Sequence, residues 1–230
     1  MLTLHTAELL VAGPGSTPLP GGAVLVEGDR IAQVGPYEEL AAARPHARVR
    51  RWPGVLTPGL LVRGADELLE RTYYPDDPYE IAELGADPIR GQAALAELTM
   101  TESRWGNSAR RGTQKLLARG VVAVTGRFTV PSVRTAVVRS GLTVLPSAAR
   151  PSGARPSGAR PSRGRPEREA SLDPFAGWDA AEQAFHGALE PDAPARFAVF
   201  AAADPEELLT LGATSCVATV IGGRLLHRRR

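Results

Sequence analysis

Gly22-Ala23-Val24-Leu25-Val26-Glu27-Gly28-Asp29-Arg30-Ile31-Ala32-Gln33-Val34-Gly35 is the stretch on which the reading of the fold turns. Two runs rich in β-formers flank Gly28-Asp29, a two-residue turn signal, and this pattern predicts a hairpin. Upstream, Leu2 to Val11 reads as a strand, and Pro20-Gly21-Gly22 is a turn into the hairpin. Gly13-Pro14-Gly15 is a turn rather than a phosphate loop, because no lysine follows it and no helix begins there. Downstream, Pro36 to Ala43 predicts a short helix with Glu38 and Glu39 at its positive end, stopped by Pro45. Val49 to Trp52 and Val55 to Thr57 supply two more strand pieces.

The far end of the chain has the same character. Arg196 to Phe200 predicts a strand, Asp204 caps a short helix from Pro205 to Leu211, and Cys216 to Ile221 predicts another strand. Gly222-Gly223 then turns into Arg224 to His227, a second hairpin. Neither end has enough strands for a stable β domain alone, so the expectation is an α+β fold in which residues 1–57 and 196–230 pair into one small composite β-sandwich. Residues 58–145 read as a partial βα segment, with helices Asn107 to Arg119 and Pro131 to Arg139 alternating with strands Val121 to Thr125 and Leu142 to Leu145. Residues 170–195 are expected to hold one helix, Trp178 to His186, and a connection.

Residues 146–169 break the pattern. Arg150-Pro151-Ser152-Gly153-Ala154 is followed by Arg155-Pro156-Ser157-Gly158-Ala159 and a decaying third copy, with no apolar surface to bury, so a disordered linker is expected. Its six arginines face only Glu167 and Glu169, which makes it basic although the formal net charge of the 230-residue chain is only +2. The pI near 9.0 therefore describes this linker and Arg228-Arg229-Arg230 more than a nucleic-acid-binding fold. A hydrophobic share of 43% with 23% charged residues fits a soluble globular protein. Cys216, the single cysteine, excludes an intrachain disulfide, and the absence of a signal-peptide layout or a 20-residue apolar run points to a cytoplasmic protein. The single lysine, Lys115, beside abundant Ala, Gly and Pro, suggests GC-rich bacterial coding.

The two terminal segments resemble the amidohydrolase superfamily, especially the imidazolonepropionases and aminodeoxyfutalosine deaminases. The residues that carry the likeness are Gly22 to Gly35, the Pro58-Gly59-Leu60-Leu61 motif, Gly187 to Pro191 leading into Arg196 to Phe200, and Val220 to Leu225. The resemblance implies a composite β domain beside a metal-dependent α/β barrel, and a His-x-His metal motif on the strand that follows Pro-Gly-Leu. Here the two positions are Gly64 and Asp66. Gly64 offers no ligand atom, whereas a catalytic zinc needs about three protein ligands and an open position. After the linker is set aside, the residues between Gly59 and Ala195 also fall well short of the ~200 that a minimal (β/α)8 barrel requires. The α/β segment is therefore a truncated, incomplete barrel.

Candidate chemistry is sparse. His5, His46, His186 and His227 are scattered, and their ordinary role is a solvated or singly hydrogen-bonded histidine. Cys216 in an apolar stretch is expected to be core filler. Asp66, Glu67 and Glu70 could form an acid/base cluster, but at helical spacing they read first as a solvated face. Asp76-Asp77 between two prolines is a turn, and Tyr73, Tyr74 and Tyr79 are expected to be buried packing. No residue is assigned a catalytic role, and no cofactor is expected. The leading expectation is a catalytically inactive amidohydrolase-like remnant with a binding or assembly role. One alternative is a hydrolase of non-peptide carbon–nitrogen bonds using zinc or iron, with metal ligands from a partner chain or a rearranged pair such as Asp66 and His186. The other is an adaptor that meets acidic partners through the arginine linker. A second copy or partner chain is expected to cover the incomplete α/β segment, with no membrane association and no nucleic acid.

Overall fold

The computed structural model describes residues 2–146 and 170–229; the expected linker, apart from Pro146, lies outside the described residues. The fold is mixed α+β with several sheets, and among the described residues none closes into a barrel. No helix among them is long and apolar enough to cross a membrane.

The chain opens with β1 (Leu2–Thr6), β2 (Leu9–Leu10), β3 (Leu19–Pro20), β4 (Gly22–Glu27) and β5 (Arg30–Pro36), followed by α1 (Tyr37–Ala43), β6 (Arg48–Arg51) and β7 (Val55–Pro58). The β4–β5 hairpin closes through the Glu27–Arg30 pair around Gly28-Asp29. One sheet has the order β5-β4-β1-β6. Because side chains alternate about a strand, β4 serves two cores. Leu25 and Ala23 join Leu4 and Leu40 beneath α1, while Val24 and Val26 face the other way.

The next segment contains β8 (Leu60–Val62), α2 (Ala65–Leu69), β9 (Thr72–Tyr73), α3 (Pro78–Leu84), β10 (Ile89–Arg90), α4 (Gln92–Ala96), α5 (Glu102–Leu117), β11 (Val121–Thr125), α6 (Pro131–Ser140) and β12 (Thr143–Leu145). β8, β11 and β12 form a parallel sheet in the order β12-β11-β8, with α5 and α6 in the crossovers. Val122, Val124, Leu60 and Val62 are fully or almost fully buried against Leu68, Leu69, Leu116 and Val133. Among the described residues β12 is the outer strand of this sheet, with Val144 42% exposed.

The closing segment supplies β13 (Arg196–Phe200), α7 (Pro205–Leu211), β14 (Cys216–Ile221) and β15 (Arg224–Arg228). Asp204 caps α7 by accepting from the backbone N–H groups of Glu206 and Glu207. β13 pairs with β14 on one side and with β7 on the other, Phe197 lying opposite Pro58. The resulting sheet has the order β15-β14-β13-β7-β2-β3. Its Leu56, Phe197, Val199, Ala218 and Val220 meet Val24, Val26 and Ile31 of the first sheet in one buried apolar cluster.

The helix expected from Trp178 to His186 is not formed. Only Ala181–Ala184 makes a 3₁₀ turn, with Ala180 and Phe185 in extended conformation on either side. Tertiary demand explains the difference. Phe185 bridges Leu60, and His186 N–H donates to the Gly59 carbonyl at 2.8 Å, so the chain must be extended to satisfy the free edge of β8.

The Pro-Gly-Leu motif has a steric cause in this fold. A β-carbon at Gly59 would collide with both γ-methyls of the buried Val122. Gly59→Ala is expected to cost about 1–3 kcal/mol of stability through overpacking. Adding Val122→Ala should recover part of that loss as a coupling of about 1 kcal/mol or more in a denaturant-unfolding cycle. Strictly additive losses would dismiss the contact as the cause.

Candidate functional site

In parallel α/β sheets ligands gather beyond the carboxyl ends of the strands. Here that edge is built by the turns after β8 and β11. β8 stops at Val62, and Gly64 then takes the left-handed conformation, φ 67°, as the residue before α2. Its N–H donates to Thr125 Oγ1 at 3.2 Å, which ties the turn to the end of β11. Asp66 lies in the first turn of α2 and packs against Gly126, where a β-carbon would stand 2.8 Å from Asp66 Oδ1.

This corrects the geometry expected for the two motif positions. On a continuing strand, residues two apart would share one face. Here residue 64 is a left-handed turn and residue 66 is helical, so the pair is not presented to a common point. His186 is half-buried at the opposite end of β8, its backbone bonded to Gly59. The rearranged pair Asp66 and His186 is therefore not brought together. Among the described residues no group of three or more His, Cys, Asp or Glu side chains could hold a metal ion. The donor set does not fit a zinc or iron site, which needs about three converging ligands.

Of the three carboxylates at α2, Glu67 lies on the solvated face and Glu70, the residue that ends the helix, is engaged by the backbone. Glu67 pairs with Arg71 at 2.6 Å in an exposed i,i+4 bridge. Glu70 accepts from Val130 N–H at 2.8 Å and Thr129 Oγ1 at 3.0 Å, placing a negative charge at the positive end of α6. Asp66, Glu67, Glu70, Arg71, Arg90 and Trp105 border a cleft of about 1460 Å³. Sequence reasoning missed the role of Glu70 because its partners lie about 60 residues downstream, beyond six further elements.

The tyrosines divide. Tyr73 and Tyr74 are buried, but Tyr79 is 84% exposed at the start of α3, contrary to the packing expected of it. Tyr73 Oη donates to Glu80, 2.6 Å from Oε2, and Glu80 also pairs with Arg104 at 2.9 Å. Burial, then the Glu80 hydrogen bond, pushes the Tyr73 hydroxyl up. Burial pushes Tyr74 up to about 12, and its hydroxyl has no hydrogen-bond partner among the described residues. Asp77 is the N-cap of α3, accepting from Tyr79 and Glu80 N–H.

The histidines are dispersed. His46 is exposed, and His227 is half-buried with its pKa lowered by burial and then Arg229. His186 is lowered by burial and then Arg196. His5 is 2% exposed, accepts from Trp52 Nε1 at 3.2 Å through Nδ1, and is pushed down to about 3 by burial and then Arg50. Cys216 is buried, and desolvation raises its thiol to about 11, a poor setting for a nucleophile.

Residues 22–43 match the family described as the imidazolonepropionase-like composite domain of bacteria. Among solved structures, A. niger ochratoxinase is similar at 23% identity, with 64% of this chain and 31% of that chain covered and a TM-score of 0.45. The adenosine deaminase from Xanthomonas campestris with bound zinc gives 19% identity, coverage of 62% and 33%, and a TM-score of 0.44. Helicobacter pylori aminofutalosine deaminase gives 16% identity, coverage of 64% and 33%, and a TM-score of 0.38. No curated protein matches by sequence. The chain thus spans about a third of the length of these structures, and it resembles the amidohydrolase superfamily through an imidazolonepropionase-like composite-domain segment at residues 22–43.

Proposed function

We propose that this is an amidohydrolase-like cytoplasmic protein that retains a composite β-sandwich built from residues 1–57 and 196–230 but not the catalytic centre, and that acts in binding or assembly. The observation that carries the reading is the end of β8, where Gly64 is a left-handed turn and Asp66 is helical, so neither the donors nor the strand geometry of a His-x-His site is present. Support for the sandwich comes from the β13–β7 pairing and from the cluster that joins Val24, Val26 and Ile31 to Phe197, Val199 and Val220. Support for a partner comes from β12, which among the described residues leaves backbone groups and Val144 at a sheet edge; a second copy or another chain would cover it.

The test is metal content. Protein expressed with added zinc, iron and manganese and purified without chelator should contain none of them in stoichiometric amount. The Gly64→His/Asp66→His variant should remain substoichiometric, because the two imidazoles would not share a strand face. Stoichiometric metal in the unaltered protein would overturn the proposal and favour a hydrolase of non-peptide carbon–nitrogen bonds.

A further inference from the structure

β6 is an edge strand that runs parallel to β1, with Leu4 opposite Val49, His5 opposite Arg50 and Thr6 opposite Arg51. Alternation divides its arginines. Arg51 turns toward α1, where it donates to Tyr37 Oη at 2.7 Å and lies over that ring. Arg48 and Arg50 take the other face, that of Thr3 and His5, which meets the six-stranded sheet; the His5 ring contacts Phe197 edge-on at 4.8 Å. From that second sheet the edge strand β15 contributes Arg228, opposite the buried Ala218 and 5.8 Å from the centre of the Trp52 ring. Arg48 and Arg50 from one sheet edge and Arg228 from the other therefore lie around the same His5–Trp52 pair.

Among the described residues they have no ion-pair partner. The ion pairs among the described residues involve Arg71, Arg104 and Arg111, not these three. Glu27 of β4 shares its face with Leu25, the α1 side, and Glu38 and Glu39 lie in α1 itself. Burial, and then the charges of Arg48 and Arg228, lower the Arg50 pKa, so both neighbours repel Arg50 within electrostatic reach. An anion seated among them would relieve that repulsion, and the planar fork of each guanidinium matches phosphate oxygens.

We propose that Arg48, Arg50 and Arg228, where the edges of β6 and β15 meet, form a binding site for a small, multiply phosphorylated anion. A nucleic-acid strand fits less well because Trp52, the aromatic ring at the centre, is already occupied: Arg228 lies over it and His5 stacks beside it at 6.1 Å and 16°, leaving no platform for a base. This inference is independent of whether the α/β segment is catalytic.

Calorimetric titration of the full-length protein with sodium tripolyphosphate should give saturable 1:1 binding. Arg50→Gln and Arg228→Gln should each weaken it about tenfold, as expected for loss of one charge-assisted contact. Arg155→Gln/Arg160→Gln, which removes two charges from the arginine repeat, should leave it unchanged. Should the flank variants fail to fold, tripolyphosphate must still protect Arg50 and Arg228 of the unaltered protein from phenylglyoxal, as read by peptide mass mapping. Absence of saturable binding, equal losses in the repeat variant, or no protection would each overturn the site. Tighter binding of a single-stranded oligonucleotide, lost with the same substitutions, would replace the small anion with nucleic acid.

Discussion

Chains lacking residues 196–230 are expected to be insoluble or molten, with no cooperative unfolding transition. The reason is the position of β13, which is interior to its sheet rather than appended to it: β14 lies on one side and β7 on the other. Removing it strips β7 of its antiparallel partner and takes Phe197, Val199, Ala218 and Val220 away from Val24, Val26, Ile31 and Leu56. At about 1.5–3 kcal/mol for each large apolar side chain buried, the losses reach the roughly 5–15 kcal/mol that stabilises an ordinary domain. Near- and far-ultraviolet circular dichroism during heating would read the outcome. Supplying residues 190–230 as a separate polypeptide should restore a sharp transition. Independent, cooperative folding of residues 1–57 would contradict the proposed shared domain.

A second large effect is expected from acid. His5 accepts a hydrogen bond at Nδ1 and is buried between Trp52 and Phe197, so the folded state holds it neutral, with a pKa near 3. In the unfolded chain the ring titrates near 6.5. Above that value neither state is protonated and the full stability is present. As pH falls below 6.5 the unfolded chain takes up a proton that the folded chain refuses, and stability is lost progressively toward pH 3. Between pH 7 and 4.5 this one group should cost about 2–3 kcal/mol, and more toward pH 3. His5→Gln keeps an acceptor for Trp52 but cannot titrate. Denaturant unfolding at both pH values should show a shallower pH dependence for the variant, with a residual slope from His186 and His227, whose pKa values are lowered in the same direction. An unchanged slope would remove His5 as the origin.

Much of the local architecture was legible because its causes are local. Gly28-Asp29 dictates a hairpin, and Asp204 followed by Pro205 starts α7, from neighbouring residues alone. The long helix α5 begins at Glu102 rather than near Asn107 because Thr101 caps it by accepting from Arg104 N–H, a signal the periodic pattern did not reveal. Trp178 to His186 has helical composition, but the unsatisfied edge of β8 recruits Phe185 and His186 into extended chain. The candidate site was least legible. The motif count assumed that the strand ran through residue 66, whereas it ends at Val62 and turns at Gly64. Nor could spacing reveal that Arg228 would come within electrostatic reach of Arg50, since only the packing of two sheets brings them near.

The interior position of β13 also has a consequence during synthesis. Phe197 pairs with Pro58, and at about 5–20 residues per second the ribosome needs roughly seven to thirty seconds to make the intervening chain. Throughout that interval β7 presents an unpaired edge and Leu56 lacks the part of its apolar cover that Phe197, Val199 and Val220 supply, the state in which nascent chains associate with one another. The yield of native protein in a cell should therefore depend on translation speed and on holdase chaperones more than its final stability would suggest, and slowing elongation between residues 58 and 196 should increase the aggregated fraction.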